Sequence, residues 1–187
     1  MDPRVAFVDG GGNRRWESDV AESLPAPIRV VVVDDDRLVR LLVGEALKGA
    51  GLVVEEGDSG ATALRLAQSV PDVVVIDVNL PDLSGLNVCR ALRANERTAD
   101  IGIVFLTGAE DARTVVGAFN VGADDCLHKP VVPEILVARV QRAAAHAAAR
   151  AAARVTRQRL AACRTALSSG TSGTPTATLD AVRAALG

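Results

Sequence analysis

Four short, mostly apolar runs in this sequence each lead directly into polar residues that could carry out chemistry. The runs cover residues 28–33, 73–76, 103–106 and 126–128. The polar residues that follow them are, in chain order, Asp34, Asp35 and Asp36, then Asp77, then Thr107, then Lys129. Runs of this kind separated by helix-length segments are typical of buried parallel strands, and such sheets bind ligands at the carboxyl ends of their strands. The four runs are therefore predicted to meet at one acidic pocket.

The predicted pocket has the composition of a site for a divalent cation. Asp34, Asp35 and Asp77 would repel one another without a positive charge between them, and burial of an unpaired charge is costly. Oxygen ligands without His or Cys in the motif favour Mg²⁺ over Zn²⁺. A bound Mg²⁺ would reduce the repulsion between an incoming phosphoryl group and a carboxylate nucleophile. Lys129 and the hydroxyl of Thr107 could then hold the transferred oxygens.

The segments between these runs predict the elements that position the pocket. Strands are predicted at about 29–33, 52–55, 73–76, 102–106 and 125–128. The first of the intervening helices ends near Gly49, and the next three cover about 59–69, 85–94 and 111–120. The first helix carries apolar Leu38, Leu41, Leu42 and Leu47, and the second directs Ala63, Leu64 and Ala67 inward. Five βα units predict an α/β fold with a doubly wound, five-stranded parallel sheet, because right-handed crossovers place helices on both faces.

A fifth helix is predicted to begin near Pro133 and to continue without a breaker to Ser168, a length of about 50 Å. On a helical wheel one side carries Arg139, Arg142, His146, Arg150, Arg154, Arg157 and Arg164, and the opposite side carries Val137, Ala144, Ala148, Ala151 and Val155. The basic stripe has three interpretations. In the first, the arginines form a solvated face and their charge favours the C-terminal end of the helix dipole. In the second, the helix binds a partner or a second copy through the Ala/Val side opposite the arginines. In the third, the arginines bind nucleic acid. The last has the least support, since no helix-turn-helix break or interleaved aromatic residue is present.

Residues from about 28 to 140 resemble the receiver domains of two-component response regulators. The resemblance rests on segments that occur in family order, namely Val33-Asp34-Asp35-Asp36-Arg37, Asp77-Val78-Asn79-Leu80-Pro81-Asp82-Leu83-Ser84-Gly85, Phe105-Leu106-Thr107-Gly108 and Gly122-Ala123-Asp124-Asp125-Cys126-Leu127-His128-Lys129-Pro130. It implies a flavodoxin-like sheet with the strand order 2-1-3-4-5.

The resemblance also implies a role for each residue of the pocket. Asp77 is the phosphoacceptor, and Asp34 and Asp35 are the acidic pair. These three carboxylates would bind Mg²⁺ together with the backbone carbonyl of Asn79. Thr107 is implied to be the switch hydroxyl.

The remaining implied residues include two departures from the family pattern. Lys129 is the implied contact to the phosphoryl group. Cys126 stands where receivers usually have the Tyr or Phe that accompanies the switch hydroxyl, and Val131 stands where Phe is common. Cys126 is therefore the predicted counterpart of the switch ring, with much less volume, and transmission of the signal through an aromatic side chain is not expected.

The organisation along the chain follows from these patterns. Residues 1–26 are predicted to be a flexible arm, 27–142 the receiver domain, 143–168 an Ala/Arg-rich extension of helix 5, and 169–187 a flexible linker with a short amphipathic tail. Of the 187 residues 49% are hydrophobic, which suffices for one core. The three cysteines lack disulfide or zinc spacing, and no signal peptide or membrane-spanning run is recognisable, so a cytoplasmic location is predicted.

These observations predict a single-domain response regulator, a signalling phosphoprotein rather than an enzyme. Its predicted partners are a sensor histidine kinase or phosphotransfer protein, a downstream protein, and a second copy bound through the C-terminal helix. The alternative is a regulator that binds nucleic acid through the basic helix. An aspartate-nucleophile phosphatase is disfavoured, because the segment after strand 1 lacks the Thr or Val that those enzymes have at the fifth position of their motif.

Overall fold

The computed structural model describes residues 26–108 and 112–169, in which strands and helices alternate. The strands are β1 (Arg29–Val33), β2 (Val53–Gly57), β3 (Val73–Asp77), β4 (Gly102–Thr107) and β5 (Asp125–His128). The helices are α1 (Arg37–Gly49), α2 (Gly60–Leu66), α3 (Gly85–Ala94), α4 (Ala112–Asn120) and α5 (Pro133–Ser169), with a 3₁₀ turn at Ala67–Ser69 after α2. The predicted arm before residue 26 and the predicted tail beyond residue 169 lie outside the described residues.

The five strands form one parallel sheet in the order β2-β1-β3-β4-β5, which confirms the predicted fold class and strand order. Every residue of β3 and β4 is buried, as expected for the centre of a sheet that is covered on both faces. The register pairs Asp77 with Leu106 and Thr107 with His128. The carboxyl ends of these strands therefore lie side by side at one edge of the sheet.

Each face of the sheet has its own apolar core. On one face α1 and α5 pack against the strands, and the cluster includes Val30, Val43, Leu47, Leu136 and Val140. On the other face α2, α3 and α4 pack, and the cluster includes Val31, Ala63, Val88, Leu92 and Ala118. Right-handed crossovers produce this division of the helices between the two faces.

Helix α1 buries a narrower stripe than its leucines suggest. Leu47 is buried, but Leu38, Leu41 and Leu42 are 62%, 51% and 62% exposed. The residues of α1 that are buried are Val43, Gly44 and Leu47. Leu47 follows Val43 by four positions and Gly44 by three, which places the buried residues on one side of a helix, whereas the three exposed leucines fall outside that side.

Helix α5 extends far past the sheet. It has 37 residues and is therefore about 55 Å long at 1.5 Å per residue. Among the α5 side chains whose burial is described, the last buried one is Ala147, and residues 148–166 are half-buried or exposed. The predicted extended C-terminal helix is confirmed, and more than half of it has no apolar core beneath it.

The pH dependence of stability should reveal the burial of Cys89 on α3. This thiol is fully buried, its Sγ donates to the carbonyl of Val121 at 3.3 Å, and burial raises its pKa to about 11 from 9.0. Between about pH 9 and 11 the folded chain therefore holds a proton that the unfolded chain has lost, so stability should fall as pH rises through this interval. Urea titrations in this pH interval should show that the free energy of unfolding falls less with rising pH in Cys89→Ala than in the wild type. Cys163→Ala should keep the wild-type slope, and identical slopes in all three proteins would contradict this account.

Candidate functional site

Three carboxylates meet at the carboxyl ends of β1 and β3. Oxygens of Asp34, Asp35 and Asp77 all lie within 4.8 Å of one another. The side chain of Asp34 is fully buried, Asp77 is 6% exposed, and Asp35 is exposed to solvent. The structure thus brings together the three acidic residues that the sequence places at strand ends, with one of them open to an incoming ligand.

Lys129 bridges the two buried carboxylates. Its Nζ lies 2.6 Å from Oδ2 of Asp34 and 2.9 Å from Oδ2 of Asp77. The residue follows β5, its backbone N–H donates to the carbonyl of Thr107 at 2.8 Å, and the Lys129–Pro130 peptide is cis. Strand β5 therefore delivers one cation across the end of β4 to the acidic cluster on β1 and β3.

The electrostatics of the cluster show incomplete charge compensation. Burial raises the pKa of Asp34, and the hydrogen bond from Lys129 only partly opposes this effect. Burial by itself lowers the pKa of Lys129, but its hydrogen bonds to Asp34 and Asp77 raise it, and the net direction is upward. One ammonium group thus faces two buried carboxylates and a third nearby, which leaves an excess of negative charge at the site.

The loop between β1 and α1 is held by its own hydrogen bonds. Oδ1 of Asp34 accepts from the N–H of Asp36 at 3.0 Å, and Arg40 donates to the carbonyls of Asp34 and Asp35 at 2.6 and 3.1 Å. The side chain of Asp36 caps α1 by accepting from the N–H groups of Leu38 and Val39. Asp36 therefore positions the helix, and it does not belong to the cluster of three carboxylates.

The loop between β3 and α3 lies against the phosphoacceptor candidate. The N–H of Asn79 donates to Oδ1 of Asp77 at 3.2 Å, and a Cβ at Gly85 would overlap the backbone carbonyl of Asp77. Asp82 accepts from the N–H groups of Gly60 and Ala61 at 2.8 and 2.9 Å, and these backbone hydrogen bonds lower its pKa. Sequence reasoning assigned no role to Asp82 and Gly85, although a glycine at the first position of a predicted helix was a usable signal.

The two predicted switch residues occupy different environments. Thr107 is buried at the end of β4, next to the strand that leads to Lys129. Cys126 is half-buried, pairs in register with Phe105 and packs against the core on the α2–α4 face; burial is the main cause that raises its pKa. The position therefore holds a neutral, compact side chain, and its role in switching remains a prediction.

A second charged cluster lies at the opposite end of β5. The carboxylate of Asp124 accepts from Arg93, from Arg150 and from the N–H of Ile103, the last at 2.8 Å. Its side chain is 6% exposed. Burial lowers the pKa of Arg93, whose guanidinium also donates to the backbone carbonyls of residues 99, 101 and 122. Sequence reasoning did not identify this cluster, because its members come from distant parts of the chain.

Four arginines of the stripe on α5 pair with carboxylates of the receiver body. Arg139 and Arg142 lie 3.2 and 2.7 Å from Asp125, and Arg150 donates to Asp124 at 3.1 Å. Arg154 lies 3.0 Å from Asp100 and also donates to the carbonyl of Glu96. Carboxylates at the base of β4 and β5 thus hold these arginines, whose side chains remain 35–47% exposed, so this part of the stripe is both solvated and paired with the body.

The Ala/Val side of α5 is buried along its first turns. Ala144 is buried against the sheet together with Ala143 and Ala147, so this part of the Ala/Val side packs within the chain. Val155 remains 44% exposed. A partner that binds the helix can therefore reach the Ala/Val side only beyond the receiver body.

The residues of the acidic cluster suit a hard divalent cation. The candidate ligands are all oxygens, they come from two strand ends, and their charge exceeds what Lys129 neutralises. No helix in the described part of the chain is both long and apolar enough to cross a membrane.

The fold and the site together define a receiver domain. The family model of the response regulator receiver domain matches residues 30–141, and the chain belongs to that family. Members of this family are signalling proteins whose acidic pocket typically binds Mg²⁺.

Named relatives and solved structures agree with this assignment. Response regulator MprA from Mycobacterium sp. (strain KMS) is 43% identical over 116 residues, which are 62% of this chain and 50% of that protein. The DNA-binding dual master transcriptional regulator RpaA from Synechocystis sp. is 39% identical over 114 residues, 60% of this chain and 47% of that protein. The chain thus spans about half the length of the curated relatives that it matches.

Among solved structures, a putative response regulator from Chloroflexus aurantiacus is similar with a TM-score of 0.62 and 35% identity, over 64% of this chain and 98% of that chain. The chemotaxis response regulator CheY4 of Vibrio cholerae is similar with a TM-score of 0.60 and 33% identity, over 63% and 99% of the two chains. In both cases nearly the whole solved chain corresponds to the sheet and its helices.

Proposed function

We propose that this chain is a phosphorylation-dependent response regulator in which Asp77 accepts a phosphoryl group in the presence of Mg²⁺. The donor is a histidine kinase or a phosphotransfer protein of a two-component system. An oxygen of the Asp77 carboxylate forms a bond to phosphorus while the bond between phosphorus and the donor nitrogen breaks. Water later hydrolyses the acyl phosphate, which restores the carboxylate and releases inorganic phosphate.

One observation carries this proposal, the convergence of three carboxylates and one ammonium group at the edge of the sheet. Asp77 and Asp34 share Lys129 at 2.9 and 2.6 Å, and the oxygens of Asp35 complete the 4.8 Å cluster. A nucleophile, an acidic pair and a cation for the phosphoryl oxygens are thus close enough to act on one group.

Each residue of the site has a separate task in the proposal. Asp34, Asp35, Asp77 and the carbonyl of Asn79 would hold Mg²⁺, which supplies positive charge to the attacking and transferred oxygens. Lys129 exchanges one carboxylate partner for a phosphoryl oxygen. The hydroxyl of Thr107 donates to another phosphoryl oxygen, and Cys126 takes the place of the usual switch ring.

Output by protein contact is the favoured mode of signalling. We place the receiver domain at 27–142, the helix extension at 143–168 and the flanking segments at 1–26 and 169–187. The exposed end of α5 is the proposed handle for a downstream protein or a second copy. A nucleic-acid-binding output has less support from the charges, because Arg139, Arg142, Arg150 and Arg154 already pair with carboxylates of the body.

Magnesium should stabilise the folded chain and be required for phosphorylation. Mg²⁺ at about ten times its Kd should add about 1.4 kcal/mol to the free energy of unfolding, since it binds the folded site and not the unfolded chain. The measurements are the melting temperature with and without Mg²⁺, and phosphate-affinity electrophoresis after incubation with a small phosphodonor.

Two neighbouring carboxylates provide a matched pair for this experiment. Asp35→Asn removes an oxygen charge from the cluster and should reduce the Mg²⁺-dependent shift. Asp36→Asn changes the adjacent residue, keeps a side chain that can cap α1, and should leave the shift unchanged. A melting temperature that Mg²⁺ does not change in the wild-type protein would overturn the proposed metal site.

A further inference from the structure

A shallow groove lies at the edge of the sheet opposite to the acidic cluster. We name it the basal groove; it is bordered by Val70, Pro71, Arg97, Ala148, Ala151 and Arg154. We propose that residues 16–24 of this same chain dock in the basal groove and place the ring of Trp16 in it. This inference is independent of phosphorylation and concerns a part of the molecule that the receiver chemistry does not use.

The volume and lining of the basal groove suit one aromatic ring. Its volume is about 150 Å³, roughly that of an apolar cavity that accepts a benzene ring. Alanines of α5 form one wall and Val70 the other. Val70 is 43% exposed and has a φ of 52°, a costly conformation for a β-branched residue. The fold thus retains an apolar side chain at the rim of a groove at the expense of backbone strain.

The charged residues around the basal groove favour an acidic occupant. Its two carboxylates are already engaged, Asp72 by the N–H of Arg29 and Asp100 by Arg154. Arg97 is exposed, and beyond the paired Arg150 and Arg154 helix α5 carries three further arginines, Arg157, Arg159 and Arg164, and no acidic residue up to residue 169. An incoming segment with negative charge would therefore lie beside an excess of positive charge.

The chain enters the fold directly beside the basal groove. The N–H of Arg29 donates to Asp72 at 2.7 Å, and the N–H of Asp72 donates to the carbonyl of Arg29 at 2.9 Å. Asp72 is itself part of the groove lining. The described chain begins at Ala26, three residues before Arg29, and Trp16 lies ten positions before Ala26 in the sequence, at most about 35 Å of extended chain.

The sequence of that preceding segment matches the groove in both charge and pattern. Trp16, Val20 and Leu24 repeat at every fourth position, a spacing typical of one side of an amphipathic helix. Residues 16–24 contain three carboxylates, Glu17, Asp19 and Glu22, and no basic residue. The segment therefore combines an apolar stripe that ends in a large ring with the negative charge that the groove favours.

The tether makes even weak docking effective. A short linker gives an effective concentration of about 1 mM, so a site with an intrinsic Kd of about 0.1 mM would be occupied about nine-tenths of the time. A groove that accepts one ring and a few ion pairs needs no more than this affinity. A docked segment would connect the start of the chain to the extension of α5.

Trp16 provides its own probe, because it is the single tryptophan of the chain and there is no tyrosine. Acrylamide quenching of its fluorescence should be several-fold weaker in the native full-length chain than in the same chain in denaturing urea. Ala148→Glu places a bulky negative side chain at an exposed position of the groove wall and should raise quenching towards the denatured value. Ala149→Glu makes the same change at the next exposed position, outside the groove lining, and should quench like the wild type.

The outcomes of this experiment separate the proposal from its alternatives. Val20→Ser with Leu24→Ser should also raise quenching while leaving the fold unchanged. Native quenching equal to that in urea, or equal responses of Ala148→Glu and Ala149→Glu, would overturn the proposal. Protection of Trp16 that is lost on dilution would show that the groove of a second copy binds the segment, and this would overturn docking within one chain.

Discussion

Asp77→Asn is expected to abolish phosphorylation of the chain without unfolding it. The amide oxygen can still accept from the N–H of Asn79, and Lys129 keeps its 2.6 Å contact with Asp34. A neutral carboxamide, however, does not supply the anionic oxygen that attacks phosphorus. Incubation with a small phosphodonor and Mg²⁺, followed by phosphate-affinity electrophoresis, should therefore give no shifted band, while circular dichroism remains that of the wild type.

The matched control for this substitution is Asp58→Asn. Asp58 is an exposed carboxylate in the loop after β2, outside the cluster of three, so its loss should leave the shifted band at wild-type intensity. A phosphopeptide that contains residue 77 in the wild type would complete the assignment. Wild-type phosphorylation of Asp77→Asn would show that another residue is the acceptor.

Asp124→Ala is expected to be the most destabilising single change in the charged clusters. It removes the carboxylate that two arginines and the N–H of Ile103 share, so the N–H loses its acceptor and the arginines keep only neutral backbone carbonyls as acceptors. Loss of one partner from a buried ion pair typically costs about 3 kcal/mol, because the other charge stays desolvated. The free energy of unfolding from urea titration should fall by about this amount.

Two further variants test whether burial causes this effect. Glu45→Ala removes a carboxylate whose 3.3 Å pair with Lys48 is exposed and screened by solvent, and it should change the free energy of unfolding far less than Asp124→Ala does. Asp124→Asn keeps an acceptor for the N–H of Ile103 but loses the charge, so its effect on the free energy of unfolding should lie between those of Asp124→Ala and Glu45→Ala. Equal effects of Asp124→Ala and Glu45→Ala would contradict the argument from burial.

The sheet was predictable from the sequence because its signals are local. Runs of β-branched residues such as 73–76 fix the buried strands, and the intervening segments are long enough for one helix each. The position of the acidic pocket follows as well, since parallel strands bring Asp77 and Asp34 to the same edge whatever the details of packing. The predicted bounds of β1, β5 and α3 coincide with those of the structure.

The packing of α1 and α5 could not be predicted in the same way. Leucines are common on both sides of α1, so composition does not distinguish the buried Leu47 from the exposed Leu42. The arginines of α5 form a stripe on any helical wheel, but the pairs of Arg150 with Asp124 and Arg154 with Asp100 depend on the orientation of the helix across the sheet. That orientation is a property of the tertiary structure.

The ion pair between Arg150 and Asp124 divides α5 into two nearly equal arms. About 26 Å of helix lie between Pro133 and Arg150, and about 29 Å between Arg150 and Ser169. The first arm begins four residues after Lys129, beside the acidic cluster, and the second projects past the other edge of the sheet. The two ends of α5 therefore lie at about equal distances from the pair that anchors the helix at the base of β5. A tilt of about 5° around that point moves each end by about 2 to 3 Å in opposite directions.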